Sequence, residues 1–415
     1  MISLNIAALQ VVVPLLGAPV CAIFGRGSIA WLIAATMTWI ACAISAALLH
    51  QVLCCGTISY VMGGWLAPWG IEYRVDHLSA LVLFLISGVA SVLMPFAYST
   101  VAKEIPEDQH PLFYTMYLLT FTGLLGMTIT GDAFNAFVFM EISSLSAYVL
   151  VALGQKRNAL YASFQYLILG TIGATFFVIG VGLLYMLTGT LNMIDLSNRL
   201  TQHAYNPAFY AAFCFIVVGL GLKLALFPLH LWLPNAYSFS PSLVAALFAA
   251  TGTKVGIYLL LRFVFTVFQT HENPQLLNIS SLILALAFCG ILITSVVAVF
   301  QTDLRRLLAY SSVAQIGYIM LGIALASERG LAGAIIHLFN HGLMKATLFA
   351  AIGAIALKAG GVSLKELSGI GRKMPLTMAA FTIASLSLIG IPGTVGFISK
   401  WYLLSFSFNC FENIV

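Results

Sequence analysis

Three observations predict an all-α, polytopic membrane protein. Only 7% of the 415 residues are charged and the mean hydropathy is +1.02, whereas soluble domains run near ~25% charged. Apolar runs recur along the whole chain, each long enough to cross ~30 Å of hydrocarbon as a helix. Two of these runs are interrupted mid-span by proline and glycine beside a lysine, at Gly219–Pro234 (GLGLKLALFPLHLWLP) and in SLSLIGIPGTVGFISKWYLL.

Taken in order, hydropathy predicts about twelve helices, near 4–24, 29–53, 76–98, 112–131, 133–153, 160–188, 207–229, 241–268, 279–300, 307–326, 330–358 and 375–405. The first run has no basic residues before it, so it reads as a transmembrane helix and not as a cleaved signal peptide. Basic residues in loops set orientation. Ten fall in odd-numbered loops and three (Arg74, Arg199, Arg329) in even-numbered ones, which predicts odd loops in the cytoplasm and the N-terminus outside. Asp303, Arg305 and Arg306 read as anchors at that surface, and PEDQHP (106–111) as a solvated loop. The net charge of +5 reflects this asymmetry and implies no nucleic-acid partner.

Composition also limits the chemistry. The seven cysteines form no CxxC pair and there is no Walker A sequence, so no iron–sulfur, zinc or nucleotide site is expected. GVG at 180–182 and GLG at 219–221 read as helix-packing glycines. No cofactor and no metal are predicted.

The remaining basic residues, Lys223, Lys254, Arg262, Lys345 and Lys400, lie inside predicted helices. Each costs roughly 2.5–3.5 kcal/mol at the centre of a membrane helix, so intramembrane ionisable groups mark ion pathways. Arg262, near a helix end, is expected to snorkel. Pro228 should break or kink the seventh helix, and backbone freed at that depth is tolerated only against protein or a wet cavity. Lys223 precedes this break and His230 follows it, as a proton relay or as a cap on the second half-helix. Glu141, mid-helix, can hold a buried lysine charged when the two approach; the plainer reading is a structural ion pair. Asp132 reads as an N-cap. Lys254 stands among small residues that let water or another helix approach. His337, His341 and Lys345 share one helix face at i, i+4 and i+8. That stripe suits a chain of protonatable groups, with Asn340 as a polar bridge, better than a metal site, because the HExxH glutamate is absent. Lys400 is the cation of the second broken helix, and two such helices point to an internal repeat.

The stretches GDAFNAFVFMEISSLSAYVL, KLALFPLHLWLPNAY, SPSLVAALFAATGTKVGIY, TDLRRLLAYSSVAQIGY, HLFNHGLMKATLF and GFISKW together resemble the antiporter-like subunits of complex I and of Mrp-type cation/proton antiporters. The run from Ser368 to Pro392, with GFISKWYLL, looks most like the D subunit of the Mrp type. The resemblance implies fourteen core helices with two inverted five-helix repeats and broken seventh and twelfth helices. Residues 1–110 would be the first three helices, 111–270 the first repeat, and 271–415 an incomplete second repeat. It implies that Glu141 and Lys223 are the pair whose association drives proton movement. Lys254, His337, His341 and Lys400 would continue the polar axis. The partners it implies are other membrane subunits, protons and sodium. Two departures from the family pattern stand out. Gly393 replaces a usual proline, which is expected to soften the twelfth-helix break. The chain also ends after twelve helices in SFSFNCFENIV, which reads as a truncation. The functions left open are an ion-translocating antiporter subunit, a proton-pumping arm of an NADH–quinone or hydrogenase complex, and a truncated remnant.

Overall fold

The computed structural model describes residues 2–24, 27–203, 206–270, 274–325 and 327–412, with side chains except at 2–4, 274–280 and 406–412. Among the described residues, eleven helices are long and apolar enough to cross a membrane. The helices in chain order are α1 Ile2–Ile23, α2 Gly27–Cys55, α3 His77–Glu104, α4 His110–Ile129, α5 Ala133–Ala152, α6 Asn158–Thr188, α7 Met193–Leu200 and α8 Pro207–Leu224. They continue as α9 Trp232–Phe239, α10 Ser242–Leu247, α11 Thr253–Leu261, α12 Pro274–Val299, α13 Leu304–Ala324 and α14 Glu328–Ala359. The last three are α15 Ile370–Lys373, α16 Pro375–Ile389 and α17 Val395–Glu412. A single span over Ser242–Val267 contains α10 and α11 with π-helical turns at Phe248–Gly252 and Arg262–Val267. The expected all-α polytopic fold is present.

The chain packs as two compact units, Met1–Lys223 with Val255–Gln269, and Leu224–Lys254 with Thr270–Val415. In the first, α1 packs on α2 and α4, α4 on α5, and α5 on α6. In the second, α14 is the central helix and contacts α10, α13, α16 and α17.

Both expected breaks are present, and their geometry follows from local residues. A proline at 228 clashes with the carbonyl four residues back, and α8 ends at that residue, Leu224. Ala225 then turns to φ +61°, and α9 begins at Trp232. His230 therefore lies in the connector. The helix expected over 375–405 is two half-helices, α16 and α17, which is why eleven continuous spans stand where about twelve were expected. Gly393 does not soften this second break. It sits at φ +91° and Gly390 at φ +92°, a region open to glycine and closed to proline, so the glycine lets the chain turn sharply.

A β-hairpin between α2 and α3 was not anticipated. Strands β1 (Ile58–Val61) and β2 (Glu72–Val75) pair antiparallel. Tyr73 bridges to Thr130, and Asp132 to Asn192, so the loops after α2, α4 and α6 gather at one face of the first unit. On the opposite loops of that unit, Gln155 Nε2 donates to the Lys103 carbonyl. In the tract 106–111, Glu107 and Asp108 are exposed as expected, but His110 is buried and bonded to the Ile105 carbonyl.

Candidate functional site

In the first unit, α5 presents Glu141, Ser143 and Ser144 within one turn of a helix whose start is fixed by Asp132. The Asp132 carboxylate accepts from the Asn135 N–H at 2.7 Å, the N-cap expected. Burial pushes this carboxyl up from its ordinary value, against backbone hydrogen bonds from Asn135 and Phe134. Lys223, on the last turn of α8, is buried and donates to Ser144 Oγ at 2.6 Å and Ser143 Oγ at 3.4 Å. It feels the charge of half-buried Glu141 through space. No carboxylate oxygen lies within 4 Å of its ammonium: among the described residues, the ion pairs are Arg74–Glu72, Arg199–Asp195 and Arg262–Asp76. The plain ion-pair reading of Glu141 is therefore not the arrangement seen.

Arg262 does not snorkel. Its side chain is 15% exposed, and the guanidinium pairs with Asp76 and donates through Nε to the Tyr258 hydroxyl at 2.9 Å. Tyr258 in turn donates to the Thr128 carbonyl at 2.8 Å. Asp76 closes a capping box with Ser79 at the start of α3. Burial alone would raise the Asp76 carboxyl, but the hydrogen bond and charge of Arg262, with help from Ser79, hold it below its ordinary value. Asp76 and Arg262 are 186 positions apart, and no sequence signal joins them.

In the second unit, Lys254 is fully buried and donates to the Ala249 carbonyl inside the π turn of its own span. π turns are rare and concentrate at functional positions. Along α14, His337, His341 and Lys345 are all fully buried, and they lie on one face as the spacing predicts. Lys345 Nζ donates to Ser311 Oγ at 2.6 Å and to the Leu308 carbonyl at 2.7 Å. The two histidine rings stack with centroids 6.0 Å apart. His337 is bonded on both nitrogens, to Gln315 and Ser399. Among the described residues, His341 has no hydrogen-bond partner on either nitrogen. Lys400 donates to the Leu388 carbonyl at 2.9 Å and the Ile389 carbonyl at 3.3 Å, completing the open end of α16, and lies 4.8 Å from the centre of the Tyr318 ring. Asn340 donates to the Val395 carbonyl, tying α14 to the start of α17. His230 stacks on Phe227, and its Nδ1 has no partner among the described residues; its side chain does not cap α9. Asp303 caps α13 and Arg305 binds Ser242 Oγ at 2.6 Å. Sequence reasoning missed Ser143, Ser144, Ser311, Ser399 and Gln315. Ser143 and Ser144 lie within one turn of Glu141 and Ser399 adjoins Lys400, which was the available sign; Ser311 and Gln315 carried none.

The arrangement supplies three buried lysines, the half-buried Lys400 and His337, all partnered by hydroxyl, carbonyl or amide oxygens, groups that accept from a cation without neutralising it. Residues 130–415 match the family described as NADH:quinone oxidoreductase/Mrp antiporter, transmembrane. The chain is 45% identical to the N subunit of an NADH-quinone oxidoreductase from Desulforudis audaxviator, over 83% of this chain and 68% of that protein. It is 35% identical to the D subunit of a Na(+)/H(+) antiporter from Alkalihalophilus pseudofirmus, over 84% and 69%. Among solved structures, the Mrp complex from Dietzia sp. DQ12-45-1b superposes with a TM-score of 0.89 at 30% identity, covering 98% of this chain and 75% of that one. An archaeal membrane-bound sulfane sulfur reductase, a respiratory membrane complex, gives 0.88 at 32% identity, over 96% and 81%. The chain belongs to the NADH:quinone oxidoreductase/Mrp antiporter family, as a multi-pass membrane subunit of the ion-translocating, antiporter type.

Proposed function

We propose that this protein is the proton-moving subunit of a multisubunit cation/proton antiporter, exchanging protons for sodium in a bacterial inner membrane with its odd-numbered loops in the cytoplasm. One observation carries the reading: four intramembrane lysines, Lys223, Lys254, Lys345 and Lys400, are held by hydroxyls and carbonyls, with no carboxylate within 4 Å among the described residues. A buried cation whose purpose is structural is costly unless paired. One that must gain and lose a proton is better left unpaired, beside neutral acceptors that tolerate both states. Glu141 acts on Lys223 from a distance and favours its charged form when it approaches. In the first unit Glu141, Lys223 and the α5 serines handle the proton. In the second, Lys254, Lys345, His341, His337 and Lys400 do so, with His230 at the first break. The relatives named as antiporter and respiratory-complex subunits support other membrane subunits as partners.

The test is Lys223→Ala. Cation-driven proton flux should disappear while the amount of protein stays the same; unaltered flux would remove the mechanism. The 45% identity to a subunit named for NADH-quinone oxidoreductase favours a second reading, in which the same groups are driven by electron transfer. Purification in mild detergent distinguishes the two. Small membrane subunits alone support the antiporter, and co-purifying flavin or iron–sulfur proteins support the redox-driven pump.

A further inference from the structure

His337 differs from the buried His230 and His341 in having a partner on each ring nitrogen. Nε2 is 2.8 Å from Gln315 Oε1 and Nδ1 is 2.8 Å from Ser399 Oγ. His337 and Ser399 are fully buried and Gln315 is 6% exposed. An amide oxygen only accepts, so Nε2 carries a hydrogen. Ser399 Oγ has a second neighbour, the Gly396 carbonyl oxygen at 3.1 Å. With the ring neutral, the hydroxyl donates to Nδ1. With the ring protonated, Nδ1–H donates to Oγ, and the hydroxyl hydrogen turns to the Gly396 carbonyl. Every donor and acceptor stays paired in both states, where an unpaired buried group would cost about 1–3 kcal/mol. The neighbouring His341 has no such partners.

We propose that Ser399 is a positioning residue for proton movement, a hydroxyl switch that lets His337 change protonation state without leaving a buried polar group unsatisfied. The proposal rests on the proton-carrying reading above. Other titratable or charged groups face His337 from each element around it. Tyr318 on α13 has its ring 6.3 Å away and His341 on α14 is stacked at 6.0 Å. Lys400 on α17 and Lys254 act on the ring through their charge. Among the hydroxyls near these groups, Ser399 is bonded directly to a ring nitrogen and also has an alternative acceptor.

The experiment measures proton flux in proteoliposomes carrying the subunit with the proteins that co-purify with it, normalised to assembled protein. Ser399→Ala should assemble and lose about tenfold in flux, because the protonated ring is left with a buried, unpaired Nδ1–H. Ser399→Thr, which keeps the hydroxyl, should recover flux to within about threefold of wild type. A packing role predicts the reverse order, since alanine fits a buried serine site more easily than threonine. Should the threonine variant fail to assemble, Ser399→Cys takes its place and must exceed Ser399→Ala. Wild-type flux in Ser399→Ala, or no recovery in an assembled hydroxyl or thiol variant, overturns the switch. Lys223→Ala run alongside separates the two claims. If it is inactive and Ser399→Ala is normal, only the switch fails; if Lys223→Ala is itself normal, both fail.

Discussion

Removing the Asp76 carboxylate should destabilise the first unit through two separable effects. The carboxylate caps α3, accepting from the Ser79 N–H at 2.9 Å, and loss of such a cap costs about 1 kcal/mol. It also compensates Arg262, whose side chain is 15% exposed. Stranding a buried charge costs about 3–5 kcal/mol, and with the Asp76 side chain 24% exposed about half of that is expected here. Asp76→Ala should therefore lose about 3 kcal/mol and Asp76→Asn, which can still cap, about 2 kcal/mol. Thermal unfolding in detergent, followed by tryptophan fluorescence, should rank wild type above Asp76→Asn above Asp76→Ala at pH 7. The pH dependence supplies the sharper check. The Asp76 carboxyl is held below its ordinary value in the folded protein. Its contribution is thus complete above the unfolded value of about 3.9 and is lost as pH falls through the folded one. The gap between wild type and Asp76→Asn should shrink as pH falls below about 4. Equal melting of the two at pH 7, or a gap that persists unchanged at low pH, would refute the pairing.

Three further substitutions test packing that positions the candidate site. Gly396→Ala would drive a Cβ into the Ser387 carbonyl oxygen, a backbone atom that cannot step aside, so assembly should fail in a co-purification assay. Gly170→Ala would meet the Tyr148 hydroxyl, an overpacking cost of about 1–3 kcal/mol, and Tyr148→Phe in the same chain should restore part of the melting temperature. Asn192→Ala removes the cap of α7 and the Nδ2 donor that reaches buried Glu72 at 2.8 Å. It should lower stability by about 2–3 kcal/mol, and Asn192→Asp, which keeps the cap but opposes Glu72, should not rescue it.

The spans were legible because hydropathy and length alone decide what crosses a bilayer; α5 and α12 end within a residue of their expected ends. The first break was legible because one proline determines it, down to the residue whose carbonyl it displaces. The α14 stripe was legible because helical spacing is fixed. What escaped depends on contacts between distant segments. Arg262 looked like a snorkelling residue because its partner is 186 positions away. Gly393 looked like a weakened proline until its positive φ showed why glycine stands there. The hairpin escaped because its strands are only four residues each and Gly63 and Gly64 fall between them. His337 and His341 look identical in sequence, and only Gln315 and Ser399, brought in by α13 and α17, distinguish them.

The central claim is that this chain moves protons in exchange for a cation. Its most direct test is an imposed sodium gradient across proteoliposomes containing the purified assembly, with no electron donor present and a pH-sensitive dye inside. The pH change should follow the direction of the sodium gradient and be absent in Lys223→Ala. No response to sodium, with proton movement appearing only when an electron donor is added, would contradict it and assign the same buried groups to a redox-driven pump.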